Sequence, residues 1–253
     1  MYTYFQKNHE KAKFDMIWWI TAALCAFFVK GLCGFANALV FTSILTFTSN
    51  NVDISPVNLL LSIPTNIIVA VKKRKRIKWS VCLPLSALVI VGSIPGALFL
   101  KNADTGVIKI IFGIVTILLG LEMLLREYKP GTMKQSKALL GVIGLLSGIL
   151  CGLYGIGALL SAYISQVTDD SSSFKANICT VFLADNLFRC ILYSIWGIFT
   201  ADILKLTLIL VPFMFGGLFL GMVLSSHINE KLIRQIVIVL LILSGVMLIP
   251  GNV

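Results

Sequence analysis

The sequence predicts an all-α polytopic membrane protein of about eight transmembrane helices, in two tandem four-span repeats with glycine-broken first helices. Three observations predict it. Hydrophobic residues make up 58% of the 253-residue chain and charged residues only 13%, with a mean hydropathy of +0.95. A soluble domain carries roughly 25% charged residues, so this chain could not cover a globular surface with polar side chains. Eight apolar stretches meet or approach the roughly 20 residues that a membrane-crossing helix needs. The glycine and asparagine pattern of the first half also returns about 120 residues later. A soluble enzyme, a disordered chain and a nucleic-acid-binding domain are all disfavoured.

The eight stretches lie at about 16–44, 56–71, 79–100, 106–125, 138–166, 174–197, 203–225 and 232–249. The first and fifth are too long for one straight helix and hold glycine clusters. The second is short, with Pro64 in its middle. The basic start (Lys7, Lys11, Lys13) before an apolar run is only superficially like a signal peptide; the run is too long and reads as an uncleaved first span. Residues 1–126 form the first repeat, 127–137 a cytoplasmic linker and 138–253 the second repeat.

Lysine and arginine set orientation. With the N-terminus inside, the cytoplasmic side carries fourteen basic residues, including the run Lys72–Lys78, and the outer side five: Lys101, Lys109, Lys175, Lys231 and Arg234. The outer loops also carry Asp53, Asp104, Asp169, Asp170 and Glu230. Both termini are expected in the cytoplasm of a multi-pass protein of the cell membrane. The net charge of +10 thus sits at membrane boundaries and is no sign of a nucleic-acid partner.

Gly-Leu-Cys-Gly-Phe at 31–35 pairs with Gly-Leu-Tyr-Gly-Ile at 152–156, Asn66 with Asn186, and Gly92 and Gly96 with Gly217 and Gly221. Four spans per half is an even number, so the halves are expected to insert in the same direction, about an axis along the membrane normal. Transporters commonly bind substrate between such repeats.

The chain offers little to an enzyme. Its six cysteines lie in apolar stretches without a CxxC pair, and its two histidines, His9 and His227, flank apolar runs, so neither a metal site nor a cofactor is expected. A phosphate-binding loop, a recognisable Ser/His/Asp set and a potassium-type selectivity filter are all missing.

Chemistry is expected at the interruptions. Gly31 and Gly34 in the first stretch, and Gly152, Gly155 and Gly157 in the fifth, fall near mid-bilayer. Glycines together favour a helix break, whose N–H and C=O groups lipid cannot satisfy; the next half-helix then presents N–H groups to an anion. The competing reading is close helix packing, which suits Gly144, Gly148 and Gly152, Gly92 and Gly96, and Gly217 and Gly221. Packing through these glycine faces is compatible with a homodimer or with contacts inside one chain.

Two cations lie within spans, and a buried charge there needs compensation. Lys30 has no acidic residue near it in sequence. Arg189 has Asp185 at i−4. One reading pairs Arg189 with Asp185 inside the helix; the other has Lys30 and Arg189 attract an anionic substrate, with Asp185 as a proton-coupling candidate. Asn37 follows the first break. Pro64 opens its helix, with Ser62, Thr65 and Asn66 around the opening. Asn66 and its mate Asn186 are candidate ligand contacts, and interhelical hydrogen bonding is the alternative.

The segments Gly31-Leu-Cys-Gly-Phe-Ala-Asn37 and Gly152-Leu-Tyr-Gly-Ile-Gly157, with Gly92-Ser-Ile-Pro-Gly96 and Gly216-Gly217-Leu-Phe-Leu-Gly221, resemble the TauE/SafE sulfite-exporter family over nearly the whole chain. Ala36 and Asn37 stand where that family usually has a denser glycine run. The resemblance implies a plasma-membrane transporter of small anions, often sulfite, sulfonates or related organosulfur compounds. The expected function is therefore secondary anion transport by alternating access, with an anion channel and a membrane-embedded enzyme or scaffold as the competing classes.

Overall fold

The computed structural model describes residues 2–45, 48–49, 51–102, 137–155, 157–168 and 170–225, with isolated helical positions within 110–125 and 235–246. The described residues form helices joined by short turns. Five helical segments are long and apolar enough to cross a membrane: Met16–Cys33, Asp53–Lys72, Trp79–Lys101, Ser171–Ile195 and Ala201–Leu224. The stretches expected at 106–125 and 232–249, the linker and the C-terminus lie largely outside the described residues.

Helix α1 (Tyr2–Cys33) stops where Gly34 and Ala36 take φ of +87° and +70°. Left-handed backbone cannot continue a right-handed helix, and it reverses the chain here. Helix α2 (Asn37–Leu45) runs back along α1, so that the Phe41 ring meets the Trp19 ring at 5.8 Å. The stretch 16–44, expected as one glycine-broken crossing, is therefore a hairpin that enters and leaves at one end of the bundle. Helix α3 (Asn51–Lys72) follows, carrying Pro56 and Pro64, then a 3₁₀ turn (Arg74–Arg76) and α4 (Trp79–Asn102).

The same order of elements returns. Helix α5 (Lys137–Tyr154) stops at Gly155, φ +71°, and the short α6 (Ala158–Val167) follows. Helix α7 (Ser171–Ile195) is capped by Asp170, whose carboxylate accepts from the Ser173 N–H at 2.9 Å and the Ser173 hydroxyl at 2.8 Å. Those bonds hold the Asp170 carboxyl below the usual carboxylate range. Helix α8 (Ala201–Leu224) is capped by Thr200.

Side-chain contacts fix the directions. At one end, Lys73 Nζ donates to Ser172 Oγ (2.8 Å), Arg76 meets Asp170 (3.5 Å) and Lys78 Nζ donates to the Val167 carbonyl (3.1 Å). At the other end, the Ser55 and Tyr193 hydroxyls lie 3.3 Å apart, and Lys101 Nζ sits 5.4 Å from the Trp196 ring. So α3 and α7 are antiparallel, and the first of these ends, carrying Lys72–Lys78, is the basic end.

This corrects the expectation of two halves inserted in the same direction. It also moves Asp170 and Lys175 from the expected outer side to the end that carries Lys72–Lys78. The physical reason is the hairpin: it adds a reversal that hydropathy alone counts as a crossing. The start of α1 accordingly lies at the end opposite Lys72–Lys78, not beside it. The α5–α6 hairpin opens at the basic end, where Val167 meets Lys78.

Glycine decides two helix contacts. Helices α1 and α8 run parallel, with a Gly31 β-carbon running into the Leu218 carbonyl and one at Gly221 into the Phe28 carbonyl. Helices α4 and α5 do the same, with Gly148 against the Val89 carbonyl and Gly152 against that of Ser93. Lipid tails are as apolar as leucine, so close backbone packing of this kind supplies much of the association between helices. These glycine faces are taken up within the chain. Residues such as Leu208 and Val223 (71% and 66% exposed) point outward, as a lipid-facing surface requires.

Candidate functional site

The two hairpin turns meet inside the bundle from opposite ends. Gly34 lies against the Lys175 side chain of α7, on the basic side, while Gly155 lies against Asn58 of α3 and Arg189 of α7. Between them is a cavity lined by Lys30, Phe35 to Leu39, Asn58, Ser62, Asn66, Gly155, Gly157, Phe182, Asn186 and Arg189.

The first half-helix begins at this wall. The Val40 N–H reaches the Ala36 carbonyl at 3.1 Å, so the N–H groups of Asn37, Ala38 and Leu39 have no intrahelical acceptor. The Asn37 side chain braces this terminus against α3: its Nδ2 donates to Asn58 Oδ1 (3.0 Å) and Ser62 Oγ (2.8 Å). Asn58, Ser62 and Asn66 recur every fourth residue and share one face of α3. Beside Pro64, Thr65 Oγ1 donates to the Ser62 carbonyl at 2.8 Å.

Among the described residues, three polar side chains of the wall keep unused capacity. Lys30 is 1% exposed and its Nζ has no hydrogen-bond partner among the described residues; it lies 5.8 Å from the Phe27 ring. Both polar atoms of the Asn66 amide lack partners. Arg189, 2% exposed, donates from Nε to Asp185 Oδ2 (3.0 Å) and from Nη2 to Asn186 Oδ1 (2.8 Å), while Nη1 has no partner. With Asp185 counted against Arg189, the wall carries one positive charge without a counter-charge among the described residues, together with the positive end of the α2 dipole. An unpaired buried cation costs several kcal/mol, and a bound anion removes that cost.

The structure thus brings together Lys30, Asn37, Asn66, Gly155, Gly157, Asn186 and Arg189 from the sequence-predicted set. Gly31 and Gly152 stay inside helices, at the α8 and α4 contacts. Gly34 makes the first turn, and its carbonyl accepts from Cys179 Sγ at 3.3 Å. Asp185 is fully buried behind Arg189 and reaches the site through it. Sequence reasoning missed Asn58, Phe35 and Phe182. The polar stripe from Asn58 to Asn66 was the available signal for Asn58; an aromatic residue in an apolar helix gives none. Lys175, expected in an outer loop, is buried and donates from Nζ to the Leu32 carbonyl at 2.5 Å, satisfying the end of α1. Among the described residues no group of His, Cys, Asp and Glu is placed to hold a metal ion, and none of the six cysteines is in a disulfide.

Comparison with curated proteins and with solved structures gave no match. The family model for the sulfite exporter TauE/SafE matches residues 19–248. That match covers nearly all of the chain, including both hairpin turns and every residue of the cavity wall, and the apolar helices agree with it. The protein is a multi-pass membrane protein that belongs to the sulfite exporter TauE/SafE family of transporters.

Proposed function

We propose that the protein is a secondary transporter of small anions, sulfite, sulfonates or other organosulfur anions, across the cell membrane. The observation that carries this reading is the cavity itself. Two hairpins from opposite ends bring a half-helix N-terminus, Lys30, Asn66 and Arg189 to one cavity, and all three side chains retain unused hydrogen-bond capacity among the described residues. An oxyanion supplies both the charge and the acceptors they need.

In this reading residues 1–126 and 138–253 are two repeats of opposite direction, as the antiparallel α3 and α7 suggest. Alternating access is the rocking of one repeat against the other about the bound anion. Asp185 is the proton-coupling group: protonation releases the Arg189 guanidinium to the anion, and deprotonation takes it back. The basic end faces the cytoplasm, by the weight of six basic residues within 72–78.

Proteoliposomes test the function. Saturable sulfite uptake with counterflow is expected; unitary currents in a planar bilayer would identify a channel instead.

A further inference from the structure

Resting on that anion-site reading, we propose that Phe182 sets the size of the transported anion by closing the second half of the cavity. The two hairpins do not present equal ends. Ser62 lies four residues before Asn66, and Phe182 lies four residues before Asn186, the counterpart of Asn66. The two positions therefore correspond, and their chemistry is opposite.

Ser62 is small and polar. It accepts from Asn37 at 2.8 Å, and residues 37–39 at the start of α2 face the cavity. Phe182 is large and apolar. Its ring edge presses on Gly157, the N-cap of α6, so closely that a β-carbon there would overlap it. Among the residues of the first turn of α6 whose side chains are described, Leu159 and Leu160 do not line the cavity. A ring edge accepts no N–H bond of useful strength. The first half-helix is therefore open to an anion, and the second is stoppered.

The anion is held on one side by α2, Lys30 and Arg189, and meets an aromatic wall on the other. That wall limits the room for anything attached to the anionic group. Removing the ring adds volume beside the start of α6, which admits an organic tail or a second acceptor group.

The test uses the purified full chain in detergent, as wild type, Phe182→Ala and Phe182→Leu. Thermal stabilisation is titrated with sulfite, sulfoacetate and benzenesulfonate. Wild type is expected to prefer sulfite. Phe182→Ala is expected to shift the ratio of apparent affinities toward the two larger anions by about tenfold or more, with Phe182→Leu between. Phe182→Leu decides the matter if the alanine variant does not fold. A ratio unchanged in the folded variants overturns the role of Phe182 while leaving the anion site intact. Failure of all three anions to stabilise wild type removes the site, and this inference with it.

Discussion

Lys30 and Arg189 are both buried cations, but they stand differently. Arg189 has Asp185 and Asn186 as partners in its own helix, whereas among the described residues Lys30 meets the Phe27 ring and no hydrogen-bond partner. Replacing Lys30 with Met keeps the length of the side chain and drops the charge. The ligand-free variant should gain about 1 kcal/mol or more of stability, because an uncompensated buried charge is removed. The same variant should lose the stabilisation given by sulfite; thermal unfolding with and without the anion reads both effects. Asp185→Ala should act the other way. It leaves Arg189 buried without its carboxylate, at a cost of about 3–5 kcal/mol, and an unchanged unfolding midpoint would show that the ion pair is not what holds Arg189. Much of this residue-level picture was legible in the sequence: an ionisable group deep in an apolar run is expensive, so Lys30, Arg189 and the Asn66–Asn186 pair stood out. Phe182 was not legible, since its role depends on what lies opposite it in space.

The hairpins organise the site, and glycine serves them in two ways that sequence alone does not separate. Gly34 and Gly155 have positive φ and make the turns, while Gly31 and Gly152 lie inside helices and let a neighbouring backbone approach. Both kinds sit within one short motif, so the break expected over the Gly31–Gly34 cluster falls at Gly34, and Gly31 stays helical. Gly221→Ala should place a methyl group against the Phe28 carbonyl and lower stability by about 1–3 kcal/mol. Retention of the wild-type unfolding midpoint would show that the α1–α8 contact is looser than its geometry. Ala36 holds φ of +70°, a conformation that costs a residue with a β-carbon about 1–2 kcal/mol. Ala36→Gly relieves that strain but adds freedom to the unfolded chain, so a net gain of about 0.5 kcal/mol is expected by the same measurement.

Across the whole molecule, the hairpins change the count of crossings and so the relation between the two halves. Hydropathy reads 16–44 as one apolar stretch, because a hairpin and a span have the same composition. Length carried the warning: 29 residues at 1.5 Å each give about 43 Å, more than the roughly 30 Å of hydrocarbon. The resulting arrangement puts the start of α1 and the Lys72–Lys78 turn at opposite ends. Single cysteines at Thr3 and at Lys75, in a background whose native cysteines are replaced, should react with an impermeant reagent from opposite sides of sealed vesicles; labelling from one side would contradict the antiparallel arrangement. The central claim is that an anion is bound at the meeting point of the two hairpins and carried from there. Its most direct measurement is counterflow of labelled sulfite into proteoliposomes preloaded with unlabelled sulfite, for wild type and for Lys30→Met. Transient accumulation in the wild type, absent in a folded Lys30→Met variant, is the expected result. Equal counterflow in the two proteins would contradict the account.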